Sequence, residues 1–277
     1  MGPEPTLRCP CGESNFTEAL HYKAAPRGEF CFPLVGDYRR SYDRCNTCGH
    51  YFSRHNLDMK ALYKGDYLTV TYGGEEGIKE TFREISNLPP ENSDNFHRVQ
   101  RVTQFADKWF QARETQRRLI DIGSGIGVFV YGMKLKGWCC TALDPDKRFS
   151  AHARRNIGVD AITCDFSCES SEGLGSFQCV SLNKVLEHVE DPVGFLTKAK
   201  KLLARRGFIY IEVPDGEIAI RVGDQREEFF IEHHHVFSSS SLPILIAQAG
   251  MELLVMRRLC EPSGKYTLLA FVTTKTS

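Results

Sequence analysis

Apolar residues recur along this chain at two spacings, and together these lay out most of its elements. Short apolar runs fall at Leu119–Ile122, Trp138–Leu143, Ala161–Cys164, Phe177–Leu182, Gly207–Val213, Met251–Arg257 and Thr267–Thr273, and each reads as a strand. Helical patterns lie between them: Val128 to Lys136, a turn of helix ending at Leu202-Leu203, and a segment that starts within Ser238 to Ser241 and ends at Gly250. Upstream, Phe96, Val99, Val102, Phe105, Ala106, Trp109 and Phe110 form an amphipathic stripe that predicts packing under the sheet, with His97 and Arg98 on its solvated face. Strands alternating with helices predict an α/β fold with an open sheet of seven strands, whose ligands lie outside the carboxyl ends of the strands.

The turn after the first run carries the most specific chemistry. Gly123, Ser124, Gly125 and Gly127 follow Asp121-Ile122 directly and lead into an apolar helix, so backbone can approach a ligand closely beside a helix N-terminus. Tight strand-to-helix turns also use glycine for conformational reasons alone, so the neighbouring residues decide the reading. A dinucleotide fingerprint requires a third glycine where this chain has Val128. The acidic Asp121, two places before the first glycine, suits a ligand with a cationic amino group, and S-adenosylmethionine (SAM) is such a ligand. Asp144, in Asp144-Pro145-Asp146 at the end of the second run, stands where a carboxylate accepts both ribose hydroxyls. Asp165 and Phe166, after the third run, offer a carboxylate and a ring for an adenine edge and face.

Composition narrows the classes. A chain of 277 residues with 42% hydrophobic content can bury a sizeable core, and its formal net charge of zero, with arginine pairs scattered, gives no nucleic-acid footprint. Met1-Gly-Pro-Glu-Pro shows no signal-peptide pattern, and no apolar run reaches bilayer length, so the expectation is a soluble, cytoplasmic protein without a membrane partner. Eleven cysteines make an odd count for a disulfide framework. Cys139, Cys140, Cys164 and Cys179 lie in or beside strand runs and read as core. Cys9-Pro-Cys11-Gly and Cys45-Asn-Thr-Cys48-Gly-His instead form two close pairs, each followed by glycine, as expected of two knuckles around one structural zinc ion. Cys31 and His50 are reserve ligands. The chain thus divides into a zinc-binding module at residues 1–55, a linker or substrate lid at 56–95 and a catalytic domain at 96–277, with the aromatic, glycine-rich segment Tyr63 to Gly74 as the lid.

The order of signals from about Phe96 onward resembles the class I SAM-dependent methyltransferases. The resemblance rests on the Asp121 to Gly127 loop, the acidic strand ends and the segment Val185-Leu-Glu-His-Val-Glu-Asp-Pro192 after the fourth strand, and it implies a Rossmann-like sheet and a cofactor set extended to Asn183 and Glu187. Glu232-His233-x-x-x-Phe237-Ser, with an N-terminal cysteine module, resembles the deoxysugar C-methyltransferases that act on nucleotide-linked keto-sugars. That resemblance implies His233 as general base, Glu232 as the residue that orients it or binds sugar, and Tyr67 or Tyr72 facing the substrate. His188, beside Glu187, is the competing base. Those enzymes continue into a further C-terminal domain, whereas this sequence stops after the seventh strand. O-methylation of a sugar or another small polar acceptor therefore stays open beside C-methylation, as does the oligomeric state. Two other classes remain: an RNA methyltransferase, against which the mixed charges of the cysteine module argue, and a non-catalytic scaffold, against which Asp121, Asp144 and Asp165 argue. Adjacent histidines on an extended segment point to opposite sides, which argues against His233, His234 and His235 all facing one ion.

Overall fold

The computed structural model of the chain describes residues 9–29, 38–55, 74–111, 117–168 and 173–275. Tyr67, Tyr72 and Cys31, with the aromatic segment ahead of Gly74, lie outside the described residues.

The seven expected strands are present and form one sheet. They are β4 (Arg118–Ile122), β5 (Cys139–Asp144), β6 (Asp160–Thr163), β7 (Phe177–Asn183), β8 (Leu203–Pro214), β10 (Met251–Cys260) and β11 (Tyr266–Thr274), in spatial order β10-β11-β8-β7-β4-β5-β6. Strands β4 to β8 pair in parallel, and β11 joins β8 and β10 antiparallel. From β4 the chain first builds outward through β5 and β6 and then returns to β7 on the other side, so a topological switch point lies between β4 and β7.

Alternation along the strands sorts side chains to two faces. Ile120, Val180, Ile209 and Ile211 bury against Phe195, Leu196 and Leu245 of the helices α5 (Pro192–Lys200) and α7 (Ser241–Gln248). Leu119, Cys179, Phe208 and Tyr210 bury on the opposite face against Val99, Val102, Ala106 and Met133 of α2 (Asp94–Phe110) and α3 (Val128–Leu135). The helical stripe on α2 is the one expected from sequence, with Ser93 capping its N-terminus by accepting from the Phe96 amide. Strand β8 is longer than its apolar run. Gly207 sits against the Phe177 carbonyl and the pairing with β7 shifts register between Phe177 and Cys179, so the expected turn is absorbed as an irregularity within the strand. Cys140, Cys164 and Cys179 are buried, but Cys139 is exposed at the start of β5 and contributes nothing to the core.

A second sheet covers one end of the first. Its strands β1 (Phe16–Tyr22), β2 (Arg40–Cys45) and β3 (Tyr51–His55) come from the cysteine-bearing segment, and its fourth, β9 (His235–Val236), comes from the histidine run. Val236 and His235 pair with Tyr51 and Phe52. Behind that pairing Tyr42, Tyr51, Phe229, Val236 and Ala219 make a small buried cluster, in which Ala219 belongs to helix α6 (Gly216–Val222). The charged stretch after Gly74 forms helix α1 (Gly74–Ser86), docked by Ile78 onto Ile126 and Phe149 beside the glycine turn. Helix α4 (Lys147–His152) completes the parallel half between β5 and β6.

Arg98 is an ion-pair partner, not a solvated residue. Its Nε and Nη2 donate to Glu212 Oε2 at 2.9 and 2.7 Å, and Arg101 donates to Glu212 Oε1 at 3.0 Å and to Glu261 Oε1 at 3.2 Å. Burial pushes the Glu212 carboxyl up, but Arg98 above all, with Lys184 and Arg101, outweighs it and holds the group at about 2. The unfolded chain titrates near its ordinary value of roughly 4.3, so the stability that Glu212 contributes is complete above that pH and is lost as pH falls toward about 2. Glu212→Gln, which leaves Arg98 without a counter-charge and Arg101 with Glu261 alone, is expected to cost roughly 3–5 kcal/mol in urea unfolding at neutral pH. It is also expected to flatten the acid limb of stability below about pH 4; a variant as stable as the wild type would show that the network is solvent-compensated.

Candidate functional site

The carboxyl ends of β4 and β7 meet at the switch point, and Asp121 is buried between them. Its Oδ1 accepts from the Ser181 hydroxyl and from Asn183 Nδ2, the latter at 3.1 Å. Burial pushes its carboxyl up to about 7 against these donors and against the pull of Arg98. Ser181 could not be singled out from sequence, because in a strand it reads only as a small residue at an inward position. The Asn183 side-chain oxygen is buried without a hydrogen-bond partner.

The glycine turn hangs from the neighbouring strand, since the Gly123 and Ser124 amides both donate to the Leu143 carbonyl at 2.8 and 3.1 Å. Gly123 and Gly127 have φ of 71° and 78°, and a Cβ on either would strike Val185 or Ile157. Gly125 differs, for a Cβ there would meet nothing within 4 Å, so its backbone faces open space. Asp144 looks onto that space. Its Oδ2 accepts from the Gly125 amide and its Oδ1 from the Asp146 amide, both at 2.9 Å, and each oxygen retains a lone pair. Burial raises this carboxyl to about 6, against the two amides that favour its ionised form. Pro145 is exposed beside it.

The third strand end is built differently from the sequence expectation. Asp165 folds back on its own turn, accepting from the Ser167 amide at 2.9 Å and the Cys168 thiol at 3.4 Å. Phe166 is 3% exposed, edge-on to Phe195 with the Lys198 ammonium 4.7 Å from its ring centre, so its ring belongs to the core and is not offered to an adenine.

Glu187 and His188 follow β7 on a short 3-10 turn, one step after Val185, whose side chain packs on Gly123. The loop between α6 and α7 brings His233 onto them. The His188 and His233 rings meet edge to face with centres 4.9 Å apart. His188 Nδ1 donates to the Glu232 carbonyl and His233 Nδ1 to the Glu228 carbonyl, each at 2.9 Å. These bonds fix both tautomers, leaving each Nε2 as the lone-pair nitrogen. Burial lowers the proton affinity of both imidazoles, that of His233 most. The resemblance implies that the Glu232 side chain orients His233 or binds sugar. The Glu228 carbonyl orients the ring, while the Glu232 carboxylate has one buried oxygen without a partner. Backbone acceptors of this kind carry no sequence signal. His234 stacks toward His55 and His235 is buried against His50, so the three adjacent histidines enter three surroundings.

At the far side of β9 the four cysteine sulfurs gather. Cys9 Sγ lies 3.2 Å from Cys11 Sγ and 3.3 Å from Cys48 Sγ, and Cys11 Sγ lies 3.6 Å from Cys45 Sγ. All four lie within 4.8 Å of one another. A tetrahedral ion with bonds of about 2.3 Å holds its sulfurs about 3.8 Å apart, so the donor set fits one zinc-class ion after small relaxation. The hydrogen bond from Cys9 lowers the Cys48 thiol, the direction in which a metal-binding thiolate forms. His50 is not among these donors. Its ring is buried between Ser241 Oγ at 3.1 Å and His235 Nδ1 at 3.0 Å.

The methyltransferase domain family matches residues 92–255, more than half of the sequence, and the chain belongs to that family. The ubiquinone biosynthesis O-methyltransferase of Xanthomonas campestris pv. campestris (strain B100) is 25% identical over 152 residues, covering 44% of this chain and 64% of that protein. The ubiquinone biosynthesis O-methyltransferase of Caulobacter sp. (strain K31) is 36% identical over 101 residues, 34% of this chain and 39% of that protein. The chain therefore spans less than two thirds of the length of these relatives. In fold it is similar to the magnesium protoporphyrin IX methyltransferase of Synechocystis PCC 6803 with bound S-adenosylhomocysteine (SAH), at 13% identity and a TM-score of 0.57, over 79% of this chain and 100% of that one.

The raised carboxyl of Asp144 has a measurable consequence in the free protein. Its folded value of about 6 exceeds its unfolded one, so the native state keeps a proton that the unfolded chain has released, and stability falls as pH rises through the interval between them. Asp144→Asn is expected to remove this slope, leaving the wild type to lose on the order of 2–3 kcal/mol more than the variant between about pH 4 and pH 8. Parallel pH profiles of the two in denaturant titrations would contradict the buried carboxylate.

Proposed function

We propose that this chain is a SAM-dependent methyltransferase acting on a small polar acceptor, foremost a sugar or nucleotide-linked sugar, with the methyl group delivered to carbon or oxygen. The observation that carries the reading is the His188 and His233 pair, two imidazoles with free Nε2 lone pairs, reached through Val185 from the open glycine turn. SAM fits that turn: Gly125 is open to a ligand, Asp144 retains lone pairs for both ribose hydroxyls, and Asp121 supplies a buried carboxylate for the cationic amino end. When bound, SAM supplies an activated methyl group on a sulfonium. The chain's own part is to orient the acceptor and accept its proton, and His233 Nε2, with His188 beside it, is the base assigned to that step. A neutral imidazole is the form a base requires, and burial keeps both rings neutral. The names of the relatives favour oxygen as one methylated atom. The four cysteines are assigned a structural zinc ion, whose binding supports a segment with few apolar residues of its own.

Asp144→Ala is expected to weaken SAH binding in calorimetry by about 1.5–3 kcal/mol for each charged hydrogen bond lost; unchanged affinity would remove Asp144 from the cofactor site. His233→Asn is expected to spare SAH binding and lower methyl transfer by about a hundredfold or more. Thymidine- and cytidine-linked keto-deoxysugars are the first acceptors to screen, with hydroxylated sugars for O-methylation. Full activity in His233→Asn together with its loss in His188→Asn would move the base to the turn after β7. At the cysteine cluster, cobalt in place of zinc is expected to give a thiolate charge-transfer band that Cys45→Ser abolishes; protein that takes up metal with no such band would refute the assignment.

A further inference from the structure

The pairing of His188 with His233 leaves one neighbouring group without a partner. Glu187 is fully buried, and neither of its carboxylate oxygens has a hydrogen-bond partner. A buried carboxylate without a hydrogen-bond partner is costly, and the attraction of the Lys184 ammonium offsets that cost only in part. One oxygen of Glu187, one ring nitrogen of His188 and one of His233 lie within 4.8 Å of one another. No hydrogen bond among the described residues joins the three.

The orientation of the two rings supplies a second, independent argument. Imidazoles that hold a metal donate the other ring N–H to a backbone carbonyl or carboxylate, which fixes the tautomer and turns the lone pair inward. Both rings here do so: His188 Nδ1 to the Glu232 carbonyl and His233 Nδ1 to the Glu228 carbonyl. Two carbonyls from one loop therefore leave Nε2 as the lone-pair nitrogen of each ring, while the Glu187 main-chain carbonyl is held by the His234 amide at 2.7 Å. Two imidazoles and one carboxylate form a three-ligand set that leaves positions open. The closed side is that of Glu187, because His188 and His233 are only half-buried.

We propose that Glu187, His188 and His233 form a site for a divalent first-row transition ion of the zinc class, separate from the cysteine cluster and open toward the half-buried side of the two imidazoles. His234 and His235 take no part in it, since they face His55 and His50. Ion binding here does not depend on the methyltransferase reading. Its chemical role does: with both Nε2 lone pairs on the ion, His188 and His233 would act as ligands in place of the base, and the ion would lower the proton affinity of an acceptor hydroxyl at its open position so that the proton passes to solvent before the methyl group arrives.

Cobalt tests the site on the full chain given a single equivalent of zinc, which the four cysteine sulfurs take first. The wild type is expected to take up about one equivalent of Co2+ with visible d–d bands and no thiolate charge transfer, as nitrogen and oxygen ligands dictate. Glu187→Gln, His188→Asn and His233→Asn should each weaken that uptake at least tenfold, and His234→Asn should leave it unchanged. Cobalt that enters only with a thiolate band, or whose uptake the three substitutions leave untouched, overturns the proposal. Should a variant misfold, crystals of cobalt-soaked wild-type protein decide the matter: an anomalous peak between the three side chains sustains the site, and its absence there overturns it. Loss of methyl transfer in an acceptor assay would bear on the proposed function alone, since cobalt uptake is read without SAM or acceptor.

Discussion

Backbone of the loop between α6 and α7 must be satisfied on two sides at once, and this requirement ties the molecule together. One side meets the seven-stranded domain, where the His234 amide donates to the Glu187 carbonyl and the Gly216 amide to the Phe237 carbonyl. The other meets the cysteine-bearing sheet, where the Ser53 amide donates to the His234 carbonyl and the Tyr42 hydroxyl points at the carbonyls of Phe230 and His233. Buried main-chain groups left unpaired on either side would cost free energy comparable to a lost hydrogen bond each. The loop is therefore held by both sheets, and so are the imidazoles it carries. The cysteine knuckle shares in this, because the Ser238 hydroxyl donates to the Cys48 carbonyl at the start of α7.

The acids near the strand ends show how one sheet sets opposite electrostatics on different strands. Asp121 and Asp144 are buried among hydroxyl, amide and backbone donors, which stabilise a carboxylate only in part, so burial prevails and their proton affinity rises. Glu212 is as deeply buried, but two guanidiniums reach it and the balance reverses. A charged group with few charged partners favours a cationic ligand; one already neutralised does not. The contrast separates Glu212, which braces β8 against α2, from the pair facing the glycine turn.

Much of this was legible in sequence for a simple reason. Strands buried on both faces, such as Leu119–Ile122 and Phe177–Leu182, are continuous apolar runs bounded by turns, and the stripe of α2 keeps its spacing from Val99 to Phe110. What escaped depends on contacts remote in sequence. Strand β9 has two residues, and nothing in His235-Val236 distinguishes them until Tyr51 and Phe52 lie alongside. Helix α1 reads as a charged linker because Ile78 is its one buried side chain. At the site, residue types pointed to Asp121 and Asp144 and a family resemblance to His188 and His233, whereas the carbonyls of Glu228 and Glu232 that fix the rings belong to every residue alike.

The late arrival of β9 has a consequence for how the chain is made. About 180 residues separate β3 from β9, and at the usual pace of about 5–20 residues per second a ribosome needs on the order of ten seconds or more to deliver them. Throughout that interval β3 presents an unpaired edge, the kind of surface that invites pairing with a stranger. The four cysteines, by contrast, all precede β3 and have emerged before that interval starts. A nascent chain can thus close its knuckle early and wait, with its sheet one strand short, for the histidine loop to complete it.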